Sequence, residues 1–149
     1  MHGNTNAELQ GIAAKLAYPF MLKSRTEAYD GRGNFPVRSE ADFSQAAKAL
    51  GDQPLYAERW VDFEQELAVM VVKTVDNPSD QWASNTKAFP VVETVHENSI
   101  CKLVYAPARN IKASMIAQAQ KLAQSAVASL WGKGVFGVEM FLAKDGVSR

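Results

Sequence analysis

The spacing of apolar residues changes along this chain, from a helical period near its start to a strand period in its middle. Four early apolar residues recur every three or four positions: Leu9, Ile12, Ala13 and Leu16. They predict a short helix over residues 8–17, and the apolar run of residues 20–25 predicts a strand directly after it. A second helix is predicted between Ser39, spaced from Asp42 as in a capping box, and Gly51.

Beyond residue 55 the apolar residues alternate with period two or form unbroken runs, which is typical of strands. Strands are predicted in five segments: residues 55–57, 66–75, 89–96, 100–106 and 135–142. Residues 97–99 have the composition of a hairpin tip, and a strong helical period covers residues 112–131. Two helices and a strand, followed by mostly antiparallel strands with one covering helix, indicate a two-lobed α+β architecture.

Charge and cysteine content narrow the class of protein. Sixteen Lys and Arg residues balance sixteen Asp and Glu residues, so bulk attraction to nucleic acid or to an anionic membrane is not expected. No apolar stretch approaches the roughly 20 residues of a membrane-spanning helix. The single cysteine, Cys101, lies in an alternating apolar run, so we expect a packed core thiol in a reducing compartment. These features predict a soluble, cytoplasmic protein without nucleic-acid or membrane partners.

A lysine and a glycine-bearing loop form the first candidate site. Lys23 lies near the end of the first predicted strand. The loop that follows consists of Ala28, Tyr29, Asp30, Gly31, Arg32, Gly33 and Asn34. Its two glycines would let backbone N–H groups approach an anion, and its arginine adds a cationic donor. The chain has no G-x-x-x-x-G-K-[ST] sequence, so a polyphosphate would be bound without a P-loop. A snorkelling lysine beside an ordinary surface turn is the alternative.

Candidate nucleotide contacts follow in the next segments. The connecting segment Glu58, Arg59, Trp60 and Val61 can present backbone groups to an adenine edge. Glu66, on the same predicted strand face as Glu64, can accept ribose hydroxyls, with a solvated acidic pair as the alternative. His96 can hydrogen-bond a phosphate or ribose group, with a structural histidine as the alternative.

Glu139 interrupts the otherwise apolar strand of residues 135–142. Because an unpaired carboxylate is costly to bury, we expect this one to have a partner. That partner is either magnesium bridging nucleotide phosphates or a basic side chain. One carboxylate supplies fewer metal ligands than phosphoryl transfer generally requires.

Together these segments resemble the ATP-grasp ligases, and within them the N5-carboxyaminoimidazole ribonucleotide synthetases of purine biosynthesis. Seven stretches carry the resemblance: residues 18–23, 29–34, 56–58, 66–69, 90–96, 106–109 and 134–141. The sequences YDGRGN and GVFGVEMF, in this order and spacing, are its most specific parts. The resemblance covers the chain from about residue 10 and is strongest to fungal forms, in which this unit is fused to a carboxylase mutase domain.

The resemblance implies a truncated ATP-grasp fold that uses ATP and Mg²⁺, and a role for each candidate residue. Lys23 and the loop of residues 28–34 would bind the ATP phosphates, and the loop would close as a lid. Residues 58–61 would hold adenine, Glu66 would accept the ribose hydroxyls and His96 would contact the nucleotide.

The resemblance also implies the chemistry. Tyr29 and Arg32 would contact 5-aminoimidazole ribonucleotide, and Glu139 would bind magnesium, so Arg32 and Glu139 are the expected catalytic residues. Bicarbonate would attack the γ-phosphate to give carboxyphosphate, and the amine of the ribonucleotide would then capture the carboxyl group.

Finally, the resemblance implies a division of the chain. Residues 1–10 would be an extension, residues 11–57 the small lobe and residues 58–149 a large lobe incomplete at its C-terminus. Family members carry an asparagine–glutamate pair about a dozen residues after the position of Glu139, beyond Arg149 here. We therefore expect an isolated chain that binds Mg-ATP weakly without turnover. The parent protein is expected to be a homo-oligomer. A non-catalytic nucleotide-binding or regulatory module and a purely structural α+β domain are the alternatives.

Overall fold

The computed structural model describes residues 6–28, 32–51, 53–78, 81–144 and 146–147 of the 149-residue chain. The chain forms two compact units. The first comprises the residues up to Val61 together with Glu97–Ile100, and the second comprises Asp62–His96 and the residues from Cys101 onward. No helix of the described residues is long and apolar enough to cross a membrane.

The first unit is a three-stranded antiparallel sheet packed against helices. Its elements are α1 (Asn6–Leu16), β1 (Phe20–Ser24), β2 (Asn34–Val37), a 3₁₀ turn (Glu40–Asp42), α2 (Phe43–Leu50) and β3 (Leu55–Arg59). The strand order is β2–β1–β3. Alternation along β1 buries Phe20 and Leu22 in the core of this unit, together with Ile12 of α1. The other face of β1 therefore carries Met21 and Lys23.

The predicted ends of the second helix are confirmed. The Asp42 carboxylate accepts hydrogen bonds from the backbone N–H groups of Arg38 (2.7 Å) and Ser39 (3.1 Å), at the turn from which α2 continues. The helix ends at Gly51, whose φ of 61° is a conformation that glycine adopts without strain.

The second unit is a mostly antiparallel sheet covered by one long helix, as the sequence predicts. Its elements are β4 (Phe63–Lys73), α3 (Trp82–Asn85), β5 (Thr86–Ala88), β6 (Val92–Glu97), β7 (Ile100–Tyr105), α4 (Ala113–Ala128), β8 (Gly134–Ala143) and β9 (Gly146–Val147). Only the last residue of β6 and the first residue of β7 are grouped with the first unit. The strand order is β7–β6–β4–β8–β9, and β5 also pairs with β4. Asn98 and Ser99 join β6 to β7 with φ angles of 52° and 62°, as a two-residue hairpin requires.

One face of the second sheet packs against α4. Leu67, Val69 and Val71 of β4 are fully buried there with Ala119 and Ala123 of the helix. The small alanine side chains let the helix approach the sheet closely. The residues of β4 that alternate with these buried ones lie on the other face of the sheet, away from α4.

Three features of the fold differ from the sequence-based expectations. Residues 34–37 form strand β2, although this segment is short and contains Pro36, which an edge strand tolerates. Only the second part of the predicted strand 89–96 is a strand, β6 (Val92–Glu97), and the separate short strand β5 (Thr86–Ala88) precedes the predicted range. The prediction of a core thiol at Cys101 is wrong: the residue is exposed, because β7 is the outermost strand of the sheet and five of its six residues are exposed.

Candidate functional site

The face of the second sheet away from α4, here called the outer face, carries three of the predicted site residues. In the strand register, Glu66 of β4 lies opposite Thr94 of β6 and Phe141 of β8. Ala68 lies opposite Glu139 in the next position of the same face. His96 follows Thr94 at the spacing of residues that share a strand face. Glu66, His96 and Glu139, which are far apart in sequence, therefore project from one surface.

Glu66 and His96 are in direct contact. The Nδ1 atom of His96 lies 2.5 Å from Oε2 of Glu66, and the two side chains are 21% and 24% exposed respectively. Because a carboxylate only accepts hydrogen bonds, Nδ1 carries the proton, and Nε2 points away from this contact. The histidine thereby fixes the carboxylate of Glu66 in place.

Glu139 is exposed, so the expectation of a buried carboxylate is wrong. The alternation of β8 directs Met140 towards the α4 core and places Glu139 on the outer face. Its surroundings there include the exposed apolar side chain of Met70, which lies opposite Gly137. An exposed carboxylate suits Mg²⁺, which binds few protein oxygens and keeps several waters. Among the described residues, no three His, Cys, Asp or Glu side chains are grouped to hold a metal ion.

Glu64 does not follow the predicted alternation. The register of β4 with β8 shifts between Phe63 and Gln65, and Glu64 lies within this irregularity. Such a bulge reorients the strand locally. One consequence is that Phe63 stacks on Phe141 with ring centroids 4.5 Å apart, on the outer face beside Glu66.

In the first unit, Lys23 is paired with Glu58. The Nζ atom lies 2.9 Å from Oε2 of Glu58, and the two side chains are 32% and 47% exposed. Lys23 lies opposite Tyr56, and Glu58 lies opposite Met21, so the pair is diagonal across β1 and β3. The pair occupies the face of this sheet away from its core, as does Asn34, which lies opposite Lys23 on β2.

The described part of the candidate loop is closed onto the end of β1 by Gly33. The backbone N–H of Ser24 donates to the carbonyl oxygen of Gly33 (2.8 Å). Gly33 has a φ of 86°, and a Cβ atom there would lie 2.8 Å from Cβ of Ala28, so only glycine fits. Arg32 and Ala28 are exposed. Tyr29, Asp30 and Gly31, also predicted to bind phosphates, lie outside the described residues.

The predicted adenine-binding segment is only partly a strand. Glu58 and Arg59 end β3, whereas Trp60 and Val61 have no regular secondary structure. Their backbone groups are therefore not used in a strand ladder. Trp60 is 37% exposed. The boundary between the two compact units follows directly, at Val61 and Asp62.

An ion pair that sequence reasoning missed supports β6 from the α4 side. Arg109 donates from Nε (2.9 Å) and from its terminal nitrogen (2.8 Å) to the two oxygens of Glu93, and its Cζ lies 3.3 Å from the ring centroid of Tyr105. The hydrogen bonds from Arg109 lower the pKa of Glu93, and those to Glu93 raise the pKa of Arg109. Because the partners are 16 positions apart and separated by a hairpin, no local pattern identifies the pair.

Comparison with known proteins gives consistent matches over the chain. A family model described as "ATP-grasp domain" matches residues 1–148. Phosphoribosylaminoimidazole carboxylase from Ogataea methanolica is 49% identical over 140 residues, which cover 94% of this chain and 24% of that protein. The chain thus spans about a quarter of the length of the curated relatives it matches.

Solved structures resemble the fold closely. Carboxyaminoimidazole ribonucleotide synthase from Aspergillus clavatus, complexed with ATP, has a TM-score of 0.89 and 55% identity, covering 98% of this chain and 36% of that one. N5-carboxyaminoimidazole synthase from Aspergillus clavatus, in complex with ADP and 5-aminoimidazole ribonucleotide, has a TM-score of 0.85 and 53% identity, covering 98% of this chain and 35% of that one.

Proposed function

Because this chain belongs to the ATP-grasp family, we propose that it is the ATP-binding core of a carbon–nitrogen ligase that carboxylates 5-aminoimidazole ribonucleotide with bicarbonate. The observation that carries the proposal is the placement of Glu66, His96 and Glu139 on one sheet face. The high similarity to a synthase structure complexed with ATP supports it. A homo-oligomeric parent protein in the cytoplasm stays a prediction from the sequence.

Within the second unit, Glu66 would accept the ribose hydroxyls of ATP. His96 lies 2.5 Å from Oε2 of Glu66, so one oxygen of the carboxylate is already held before the nucleotide binds. The side chain is only partly exposed, and hydrogen bonds to a charged group in such a site are stronger than neutral ones. The stacked rings of Phe63 and Phe141 lie beside it and give the outer face an apolar border.

Glu139 would hold Mg²⁺, which when bound neutralises charge on the phosphates. The position of Glu139, opposite Ala68, places its carboxylate one step along the outer face from Glu66. Two side chains of the same face adjoin both acids, the small one of Ala68 opposite Glu139 and the ring of Phe141 opposite Glu66. Glu66 would therefore bind the ribose and Glu139 would hold the ion that neutralises phosphate charge, at neighbouring positions of one sheet.

Within the first unit, Lys23 and the loop that Gly33 closes would bind phosphate oxygens. The ammonium of Lys23 and the guanidinium of Arg32 supply positive charge, and Asn34 lies opposite Lys23 on the same sheet face. The segment 58–61 would meet adenine through backbone groups. The family resemblance supports Tyr29 and Arg32 as contacts to the ribonucleotide, whose amine would attack carboxyphosphate and release inorganic phosphate.

Isothermal titration calorimetry of the chain with Mg-ATP tests the proposal. We expect saturable binding that Glu66→Gln weakens by roughly tenfold or more, the effect of losing hydrogen bonds to a charged acceptor. Glu64→Gln is the matched control, since it removes a neighbouring exposed carboxylate. Absence of Mg-ATP binding by the wild-type chain, or equal effects of the two substitutions, would refute the proposal.

A further inference from the structure

The hydroxyl of Thr94 stands out on the outer face because it is buried without a partner. The residue is 8% exposed, and its Oγ1 makes no hydrogen bond among the described residues. Buried polar atoms in folded proteins are nearly always paired, since desolvating a hydroxyl without compensation is unfavourable. A threonine in this position therefore needs a reason that packing alone does not supply.

The position of Thr94 suggests that reason. It lies directly opposite Glu66 in the register of β4 and β6. Side chains that face each other across antiparallel strands have Cβ atoms about 5 Å apart, close enough for a short side chain to reach a carboxylate. His96, two residues further along β6, already donates to one oxygen of Glu66. A carboxylate accepts about four hydrogen bonds, so Glu66 can take a second donor from the same strand.

We propose that Thr94 is a positioning residue for Glu66, whose hydroxyl donates to that carboxylate in the nucleotide-bound state. This inference rests on the proposed function, in which Glu66 accepts the ribose hydroxyls. In the nucleotide-bound state the carboxylate keeps its contact with His96 and turns about it, so that its other oxygen accepts the hydroxyl of Thr94. The hydroxyl then gains a partner only when nucleotide is bound, so it increases affinity and lowers the stability of the free chain.

Two substitutions test this role by opposite effects on stability and binding. Thr94→Val keeps the shape of the side chain and removes the hydroxyl, whereas Thr94→Ser keeps the hydroxyl. We expect Thr94→Val to raise the melting temperature of the free chain and to weaken Mg-ATP binding by about tenfold, as for a lost hydrogen bond to a charged group. Thr94→Ser should bind Mg-ATP within about twofold of wild type.

The nucleotide used separates this role from simple packing. The 2′,3′-dideoxy analogue of ATP lacks the ribose hydroxyls, so wild type and Thr94→Val should bind its magnesium complex equally. A Thr94→Val chain with a lower melting temperature and equally weakened binding of both nucleotides would show a packing role and overturn the inference.

Glu66→Gln, measured with the same two nucleotides, separates failure of the inference from failure of the proposed function. If Glu66→Gln weakens ATP binding selectively but Thr94→Val matches wild type, the inference fails and the role of Glu66 stands. If neither substitution changes the affinity for ATP more than the affinity for the dideoxy analogue, Glu66 does not bind the ribose hydroxyls, and the inference fails with that assignment.

Discussion

The ammonium group of Lys23 lies 2.9 Å from the carboxylate of Glu58, across two antiparallel strands of the first unit. The pair joins a residue proposed to bind phosphates to one in the segment proposed to bind adenine. Both side chains are substantially exposed, so the ion pair contributes at most about 1 kcal/mol to the stability of the fold. Breaking this ion pair therefore costs little free energy compared with what the ammonium of Lys23 gains from a polyphosphate.

Lys23→Met should accordingly affect binding much more than stability. We expect Mg-ATP affinity to fall by roughly tenfold or more, because a charged hydrogen bond to phosphate is lost, while adenosine affinity stays the same. Calorimetry with both ligands makes the comparison. Lys48→Met, which removes an exposed lysine of α2, is the control and should leave both affinities unchanged. An equal loss for adenosine and Mg-ATP would contradict the assignment of Lys23 to the phosphates.

Glu139→Gln should reduce the contribution of magnesium to ATP binding. Because Glu139 is exposed, the substitution should change the free energy of unfolding by no more than about 0.5 kcal/mol. The measurement is the ATP affinity of each protein, determined once in the presence of Mg²⁺ and once in the presence of EDTA. We expect the wild type to bind more tightly with Mg²⁺ and the variant to lose most of that difference. A variant with the full magnesium effect would exclude Glu139 as the metal ligand.

Gly33→Ala should destabilise the first unit by more than a positive φ alone requires. An alanine at this position has to adopt a left-handed backbone conformation, which costs on the order of 1 kcal/mol. In addition, its Cβ atom would lie 2.8 Å from Cβ of Ala28, which is a steric clash.

Gly132→Ala is a matched control, since Gly132 has a φ of 88° but open space around its missing Cβ. Urea denaturation of the two variants isolates the steric part as their difference. We also expect only Gly33→Ala to weaken Mg-ATP binding. Equal stability of the two variants would mean that the loop moves to admit a side chain.

The ion pair of Glu93 and Arg109 should make stability depend on acid pH. Arg109 lowers the pKa of Glu93 below its ordinary value of 4.5, so the folded state holds the charged carboxylate more strongly than the unfolded state does. The resulting stabilisation is fully present above pH 4.5 and is lost as the pH falls through the lowered pKa.

Arg109→Met should therefore be less stable than wild type at pH 7, and the difference should narrow progressively below pH 4.5. Denaturant unfolding at a series of pH values from 7 to about 3 measures it. Lys102→Met, on the exposed strand β7, is the control and should show no such convergence. A stability difference between Arg109→Met and wild type that is independent of pH would indicate that Arg109 acts through packing on Tyr105 alone.

Much of the local structure could be predicted from the sequence because it depends on contacts between near neighbours. The capping interaction of Asp42, the glycine end of α2 and the hairpin tip at Asn98 and Ser99 all follow from residues within a few positions of one another. The period of the apolar residues predicted α4 and β8 to within a few residues. The motifs around Lys23 and Glu139 were sufficient to indicate the family.

By itself, then, the sequence determined the kinds of element, their order and the residue types available for nucleotide chemistry. Only the tertiary structure decided which strand face is covered and which distant residues meet. Alternation shows that Glu139 and Met140 point to opposite faces, but the position of α4 decides that Glu139 is the exposed one. Likewise the contact of Glu66 with His96 depends on the register between β4 and β6, which tertiary packing sets for two residues 30 positions apart in the chain.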